Sequence, residues 1–228
     1  MVSSVTSSTI QIRCKGVLFD MDGILISSIG SVERSWTQWA RLRGIDPEYA
    51  CRIAHGRRAI DTLAQLRPDL DSEEELKIIE DREIEDNEGL TVLPGVLHLL
   101  ASLPKDRWTV VTSATERLAR ARLAVAGLPV PERLVTANQV TRGKPHPEPF
   151  LAGAALLGFA PEECVVFEDS SSGAKAGRAA GCTVIATTFS HPIESLEAAH
   201  HLVTDLTGIT VEKEGEEIIL KLSAPVGR

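Results

Sequence analysis

Six short, unbroken apolar runs constrain this chain more than any other feature: residues 16–19, 108–111, 133–136, 164–167, 183–186 and 201–203. Continuous rather than alternating apolarity marks strands buried on both faces, as in a parallel sheet. Between most of the runs lie segments with helical spacing, at 116–126, 148–157 and the small-residue stretch 174–180. Strands alternating with helices predict an α/β fold, and right-handed crossovers make a doubly wound, mainly parallel, Rossmann-like sheet the expected core. A last edge strand is expected at 217–222.

One connection breaks the rhythm. After residue 19 the next apolar run arrives only at 108, far longer than a crossover requires. The stretch between has helical patterning at 32–43, 59–66 and the acidic 72–88, with a turn at His55-Gly56. Residues 27–90 therefore read as an inserted helical subdomain, leaving 10–26 and 91–228 as the core. The acidic run 73–88 is expected to be a solvated helix face.

With 43% hydrophobic and 25% charged residues, the chain has an ordinary globular composition. Its net charge of −8 and lack of a basic run argue against a nucleic-acid partner. No apolar stretch approaches the ~20 residues of a membrane span, and the Ser/Thr-rich start at 1–9 lacks the apolar segment of a signal peptide. The four cysteines (Cys14, Cys51, Cys164, Cys182) are far apart and show no metal spacing. Free thiols and a cytoplasmic setting are expected.

Polar residues gather where the apolar runs end. The first closes on Asp20-Met21-Asp22-Gly23, the second on Thr112-Ser113 and the fourth on Glu168-Asp169-Ser170. Open α/β sheets bind ligands outside the carboxyl ends of their strands, where strand order reverses. Four carboxylates at one edge repel one another unless a cation or shared protons relieve them. An oxygen-only donor set selects a hard divalent ion, magnesium before calcium.

These segments resemble the ordered motifs of the haloacid dehalogenase superfamily. Asp20-Met21-Asp22-Gly23 is similar to the first motif, Thr112 or Ser113 to the second, Lys144 in Arg142-Gly143-Lys144-Pro145 to the third, and Glu168-Asp169 to the fourth. The segments 143–149 and 166–169, Ala180-Gly181-Cys182 and His55-Gly56-Arg57-Arg58 narrow the likeness to the glycerol-3-phosphatase and 2-deoxyglucose-6-phosphatase group. That group hydrolyses small phosphorylated sugars or polyols beneath a helical cap inserted after the first motif.

The resemblance implies Asp20 as nucleophile, Asp22 as general acid and base, and Lys144 as the cation on nucleophile and phosphoryl oxygens. Thr112 or Ser113 would bind phosphate. Magnesium would be held by Asp20, Glu168, Asp169 and the backbone carbonyl of Asp22. Carboxylates suit these tasks: they form acyl phosphates and exchange protons near neutral pH when paired. In the cap, His55, Gly56, Arg57 and Arg58 are candidate substrate contacts, with Arg58 preferred over Arg57. His146 is read as filling a turn, and His98, His191, His200 and His201 as structural or exposed.

Two positions depart from the family pattern. Ile24 stands where a Thr is usual, and Ser27 where an Asp is frequent. A phosphosugar mutase of the β-phosphoglucomutase kind shares the motifs but places a His where this chain has Val32. A phosphonate-cleaving enzyme needs a cap Lys, for which only Lys77 is present, and a dehalogenase lacks the second Asp. A non-catalytic sugar-phosphate-binding relative is the remaining alternative. The expected partner is a small phosphorylated metabolite; oligomeric state stays open, with a monomer favoured.

Overall fold

The strand that ends in Asp20 lies inside a parallel five-stranded sheet, and the rest of the architecture is arranged around it. The computed structural model describes residues 9–223; residues 1–8, with most of the Ser/Thr-rich start, and 224–228 lie outside the described part. The chain begins with β1 (Ile10–Cys14), β2 (Gly16–Phe19) and the two-residue β3 (Ile26–Ser27). Four helices follow: α1 (Ile29–Leu42), α2 (Pro47–Ala54), α3 (Ala59–Leu66) and α4 (Ser72–Glu85). The chain returns through β4 (Thr91–Val92) and α5 (Val96–Ser102) to β5 (Trp108–Val110) and α6 (Glu116–Val125). The second half holds α7 (Glu148–Leu157), β6 (Cys164–Glu168), α8 (Ser171–Ala179), β7 (Thr183–Thr187), β8 (His201–Val203), β9 (Ile209–Glu214) and β10 (Glu217–Leu222).

The main sheet has the order β5-β2-β6-β7-β8, parallel throughout. From β2 the chain moves to one neighbour, β5, and then crosses to the other, β6. Strand order thus reverses at β2, and the crevice of a doubly wound sheet opens there. Val17, Phe19, Val165 and Phe167 face one apolar layer, and Leu18, Val166 and Val184 the other. This two-sided burial is what the continuous apolar runs require.

Residues 133–136 do not form a strand; Val135 makes only an isolated parallel bridge to Val111. The segment has a partner on one side alone. Pairing is limited to Val135 N–H on Val110 O and Thr112 N–H on Val135 O before Thr136 caps the short 3-10 turn Ala137–Gln139. The 217–222 strand also sits elsewhere than expected. It is the middle of a separate antiparallel sheet, β1-β10-β9. The flanking strands, IQIRC and ITVEKE, interleave polar and charged residues among the apolar ones, so they carry no continuous apolar run.

Helices α1 to α4 enclose their own apolar cluster of Trp36, Trp39, Ala40, Leu63 and Ile79. Asp46 caps α2, which has Pro47 in its first turn, and Asp71 caps α4 ahead of Glu73, Glu74 and Glu75. Acidic first turns favour the positive end of the helix dipole. The α4 acids are not all solvated, however. Glu75, Ile79 and Glu83 form a buried i, i+4, i+8 stripe. Glu75 accepts from Trp39 Nε1 (2.6 Å) and pairs with Arg43 (2.8 Å), so a carboxylate can occupy the inward face. The two connections between this helical unit and the sheet pair with each other as β3 and β4.

Candidate active site

Asp20 is the first residue after β2, at the strand-order reversal. Its backbone N–H donates to Phe167 O of the adjacent strand (2.9 Å), which ties it to the end of β6 where Glu168 and Asp169 follow. Asp20, Glu168 and Asp169 each offer a carboxylate oxygen, all within 4.8 Å of one another. The three are 6%, 0% and 2% exposed, so water contributes little to their solvation.

Lys144 enters from the loop before α7. Its Nζ lies 2.9 Å from Asp20 Oδ1 and 2.7 Å from Glu168 Oε1, and it donates to Val111 O. Burial opposes its charge, but Asp20 and Glu168 hold it well above the usual lysine value. The peptide that follows it, Lys144–Pro145, is cis.

Glu168 is fully bonded. Besides Lys144 it accepts Asp169 N–H, Ser170 N–H and Ser170 Oγ on Oε2. Burial raises its pKa, yet Lys144 and these amides bring it below the ordinary value. Burial pushes Asp20 up to about 7 against the pull of Lys144, with Glu168 adding to the rise. Asp169 is raised well above the carboxylate range by burial and by its two acidic neighbours. One ammonium does not neutralise three carboxylates. The set is all oxygen and short of positive charge, which is what a magnesium ion fits.

Helix α8 starts directly against Glu168. A Cβ on Gly173 would stand 1.6 Å from Glu168 Oε1, so only glycine permits the approach. Thr112 and Ser113 follow β5 and line the same crevice. Thr112 Oγ1 accepts Ala114 N–H (3.1 Å), and Ser113 Oγ donates to Gly56 O (3.4 Å). The helical unit therefore touches the strand ends through its own turn. Gly56 has φ +69°, and a Cβ there would meet Ser170 and Ser172 Oγ at 2.9 Å. Between the two parts lies a cavity of about 650 Å³ reached by Asp20, Asp22, Trp36, His55, Arg57 and Ser113.

A model of the haloacid dehalogenase-like hydrolases matches residues 14–181. The chain belongs to that family. Hexitol phosphatase A of Escherichia coli is 44% identical over 91% of this chain and 99% of that protein. Glycerol-1-phosphate phosphohydrolase 1 of Saccharomyces cerevisiae is 37% identical, covering 81% of this chain and 80% of its own length. A hydrolase from Pseudomonas syringae, 23% identical, has the same fold with a TM-score of 0.73 over 84% of this chain and 94% of its own.

Within this haloacid dehalogenase-like hydrolase, Asp22 stands apart from the other acids. Its Oδ1 accepts from Ser28 Oγ (2.5 Å) and from Arg122 Nη1 (3.0 Å). Arg122, 3% exposed, also pairs with Glu83 of α4 (3.2 Å). Neither Arg122 nor Glu83 was evident from the sequence. The i, i+4 stripe in α4 was the available signal for Glu83, and its acidity concealed it.

The two arginines after Gly56 differ in position. Arg58, the preferred substrate contact, is not among the residues that line the cavity; it pairs with Asp61 (2.7 Å) and donates to Val140 O and Thr141 O, each at 2.7 Å. Arg57 lines the cavity and donates to Gln65. His146 fills its turn as expected, accepting Glu148 N–H on Nδ1. His191, read from the sequence as structural or exposed, is a cavity residue. It lines the cavity, with its ring edge-to-face on His55 at 4.6 Å, because the segment after β7 returns over the strand ends. Its position just beyond an apolar run was the sequence signal. Val32 also lines the cavity, and Ile24 is buried. All four cysteines are free thiols; Cys51 alone is not buried. No helix among the described residues is long and apolar enough to cross a membrane.

Proposed function

We propose that this chain is a phosphatase that hydrolyses a small phosphorylated sugar or polyol, with residues 27–90 acting as the cap over its site. The observation that carries this is Asp20 at the strand-order reversal, paired with Lys144 and lining the cavity. Two relatives named as phosphatases of a hexitol and of glycerol phosphate support the substrate class.

A carboxylate oxygen of Asp20 attacks phosphorus, and the ester P–O bond breaks. Asp22 gives its proton to the departing alkoxide, leaving an aspartyl phosphate on Asp20. Asp22, now ionised, takes a proton from water, which attacks the same phosphorus. Inorganic phosphate leaves and the Asp20 carboxylate is restored. Lys144 keeps positive charge beside the nucleophile and the phosphoryl oxygens. Thr112 and Ser113 supply hydroxyl donors to those oxygens, and the N-terminus of α6, three residues on, adds its dipole. Asp20, Glu168 and Asp169, with the Asp22 carbonyl, would hold magnesium, which would offset repulsion between nucleophile and phosphoryl group. His55, Gly56, Arg57 and Arg58 lie in the cap turn that closes on the core. A cytoplasmic setting accords with the free thiols.

A panel of hexitol, hexose and glycerol phosphates assayed for phosphate release, with magnesium and with excess chelator, tests the reading. Magnesium-dependent release from a sugar or polyol phosphate is expected. Isomerisation of a hexose phosphate without net release would place the chain with the mutases instead.

A further inference from the structure

The cavity contains a second group of candidate ligands, which shares Asp169 with the oxygen cluster and adds two histidines. His55 directly follows α2 in the helical unit, and His191 follows β7 in the core. With Asp169 they bring three ligand atoms within 4.8 Å of one another. Both rings line the cavity. Ser190 Oγ sits 2.7 Å from His191 Nδ1 and donates to Asp169 Oδ2. That leaves His191 Nε2 as the nitrogen available to a cation, and gives ring and carboxylate a common orienting partner. Histidines that bind metal characteristically have their second nitrogen held in this way.

We propose that His55, Asp169 and His191 form a second divalent-cation site, selective for an ion of the zinc class rather than magnesium. Two imidazoles and one carboxylate suit zinc, copper or nickel, whereas magnesium prefers oxygen alone. Three protein ligands also leave a fourth position for water or a phosphate oxygen, as in open zinc sites. The site joins the helical unit to the core, so an ion in it holds the two together over Asp20. It also takes Asp169 from the oxygen cluster, so zinc opposes magnesium there. The site goes beyond the proposed hydrolysis, and its binding test does not depend on turnover.

The test is zinc affinity of the intact protein, measured by competition with a chromophoric chelator in excess magnesium. Wild type is expected to bind one zinc ion. His55→Asn and His191→Asn should each weaken binding at least about tenfold, while Cys51→Ser, whose thiol also lines the cavity, should bind as wild type. A measurement on wild type alone guards against a misfolded variant: added copper(II) should broaden the NMR signals of His55 and His191 and leave His98 sharp. No stoichiometric zinc binding in magnesium, unchanged affinity in either histidine variant, loss in Cys51→Ser, or sharp His55 and His191 signals would each overturn the site.

Discussion

Arg122 Nη1 donates to Asp22 Oδ1 across 3.0 Å, while Nη2 of the same guanidinium reaches Glu83 Oε2 at 3.2 Å. A single buried cation on α6 thereby links the proposed proton-transfer residue to the helical unit above it. Its Nε has no partner among the described residues, so the two carboxylates account for all of its side-chain pairing. Arg122→Met should leave Glu83 buried without a counter-charge and cost about 3 kcal/mol. Chemical denaturation would measure it, and adding Glu83→Gln should recover part of the loss. Turnover of Arg122→Met should fall as well, since Asp22 loses one of its two side-chain donors.

The same pair sets a pH dependence. Burial pushes Glu83 up to about 7, although Arg122 pulls the other way. A group whose pKa is raised on folding contributes its stability in full below the unfolded value of about 4.5 and loses it as pH rises through about 7. The change is of order 3 kcal/mol. Urea midpoints measured from about pH 5 to pH 8 should therefore fall with rising pH. In Glu83→Gln this decline should flatten.

Asp20→Asn should fold and lose turnover by at least about a thousandfold, since an amide is a poor nucleophile. Thermal unfolding and p-nitrophenyl phosphate hydrolysis would check both halves. Retained hydrolysis would remove Asp20 from the nucleophile's role.

Gly173→Ala should damage the site through sterics alone. The added methyl would lie 1.6 Å from Glu168 Oε1, so either α8 shifts or the carboxylate leaves Lys144. A loss of about 1–3 kcal/mol or more, with weakened magnesium activation, is the expected outcome. Melting curves and magnesium titration of activity would show it.

The two cap arginines should separate by substrate. Arg58 clasps the core backbone at Val140 and Thr141, so Arg58→Ala should loosen closure and lower all activities together, by about tenfold. Arg57 lines the cavity. Arg57→Ala should reduce hydrolysis of polyol phosphates more than that of p-nitrophenyl phosphate. A selective loss in Arg58→Ala would return substrate reading to that residue.

The parallel core and the order of its chemical groups were legible because both follow from local pattern. A strand buried on both faces must be continuously apolar, and a polar cluster that interrupts such a run marks its end. Asp20, Thr112 and Glu168 could thus be placed at strand ends before any contact was known. The two flanking strands of the antiparallel sheet were missed for the same physical reason: polar and charged residues interrupt their apolar ones, and each pairs only with β10.

By itself the sequence determined which residues reach the carboxyl edge of the parallel sheet, since strand periodicity and chain order act over a few residues. Tertiary structure alone decided how those residues are paired. Asp22 and Arg122 are 100 positions apart, Arg58 and the Val140 carbonyl 82, and His55 meets His191 only where the helical unit rests on the sheet. Charge on α4 looked like solvent exposure because carboxylates are usually hydrated. Burial of Glu75 and Glu83 became favourable only once Arg43, Trp39 and Arg122 were brought against them to replace that water.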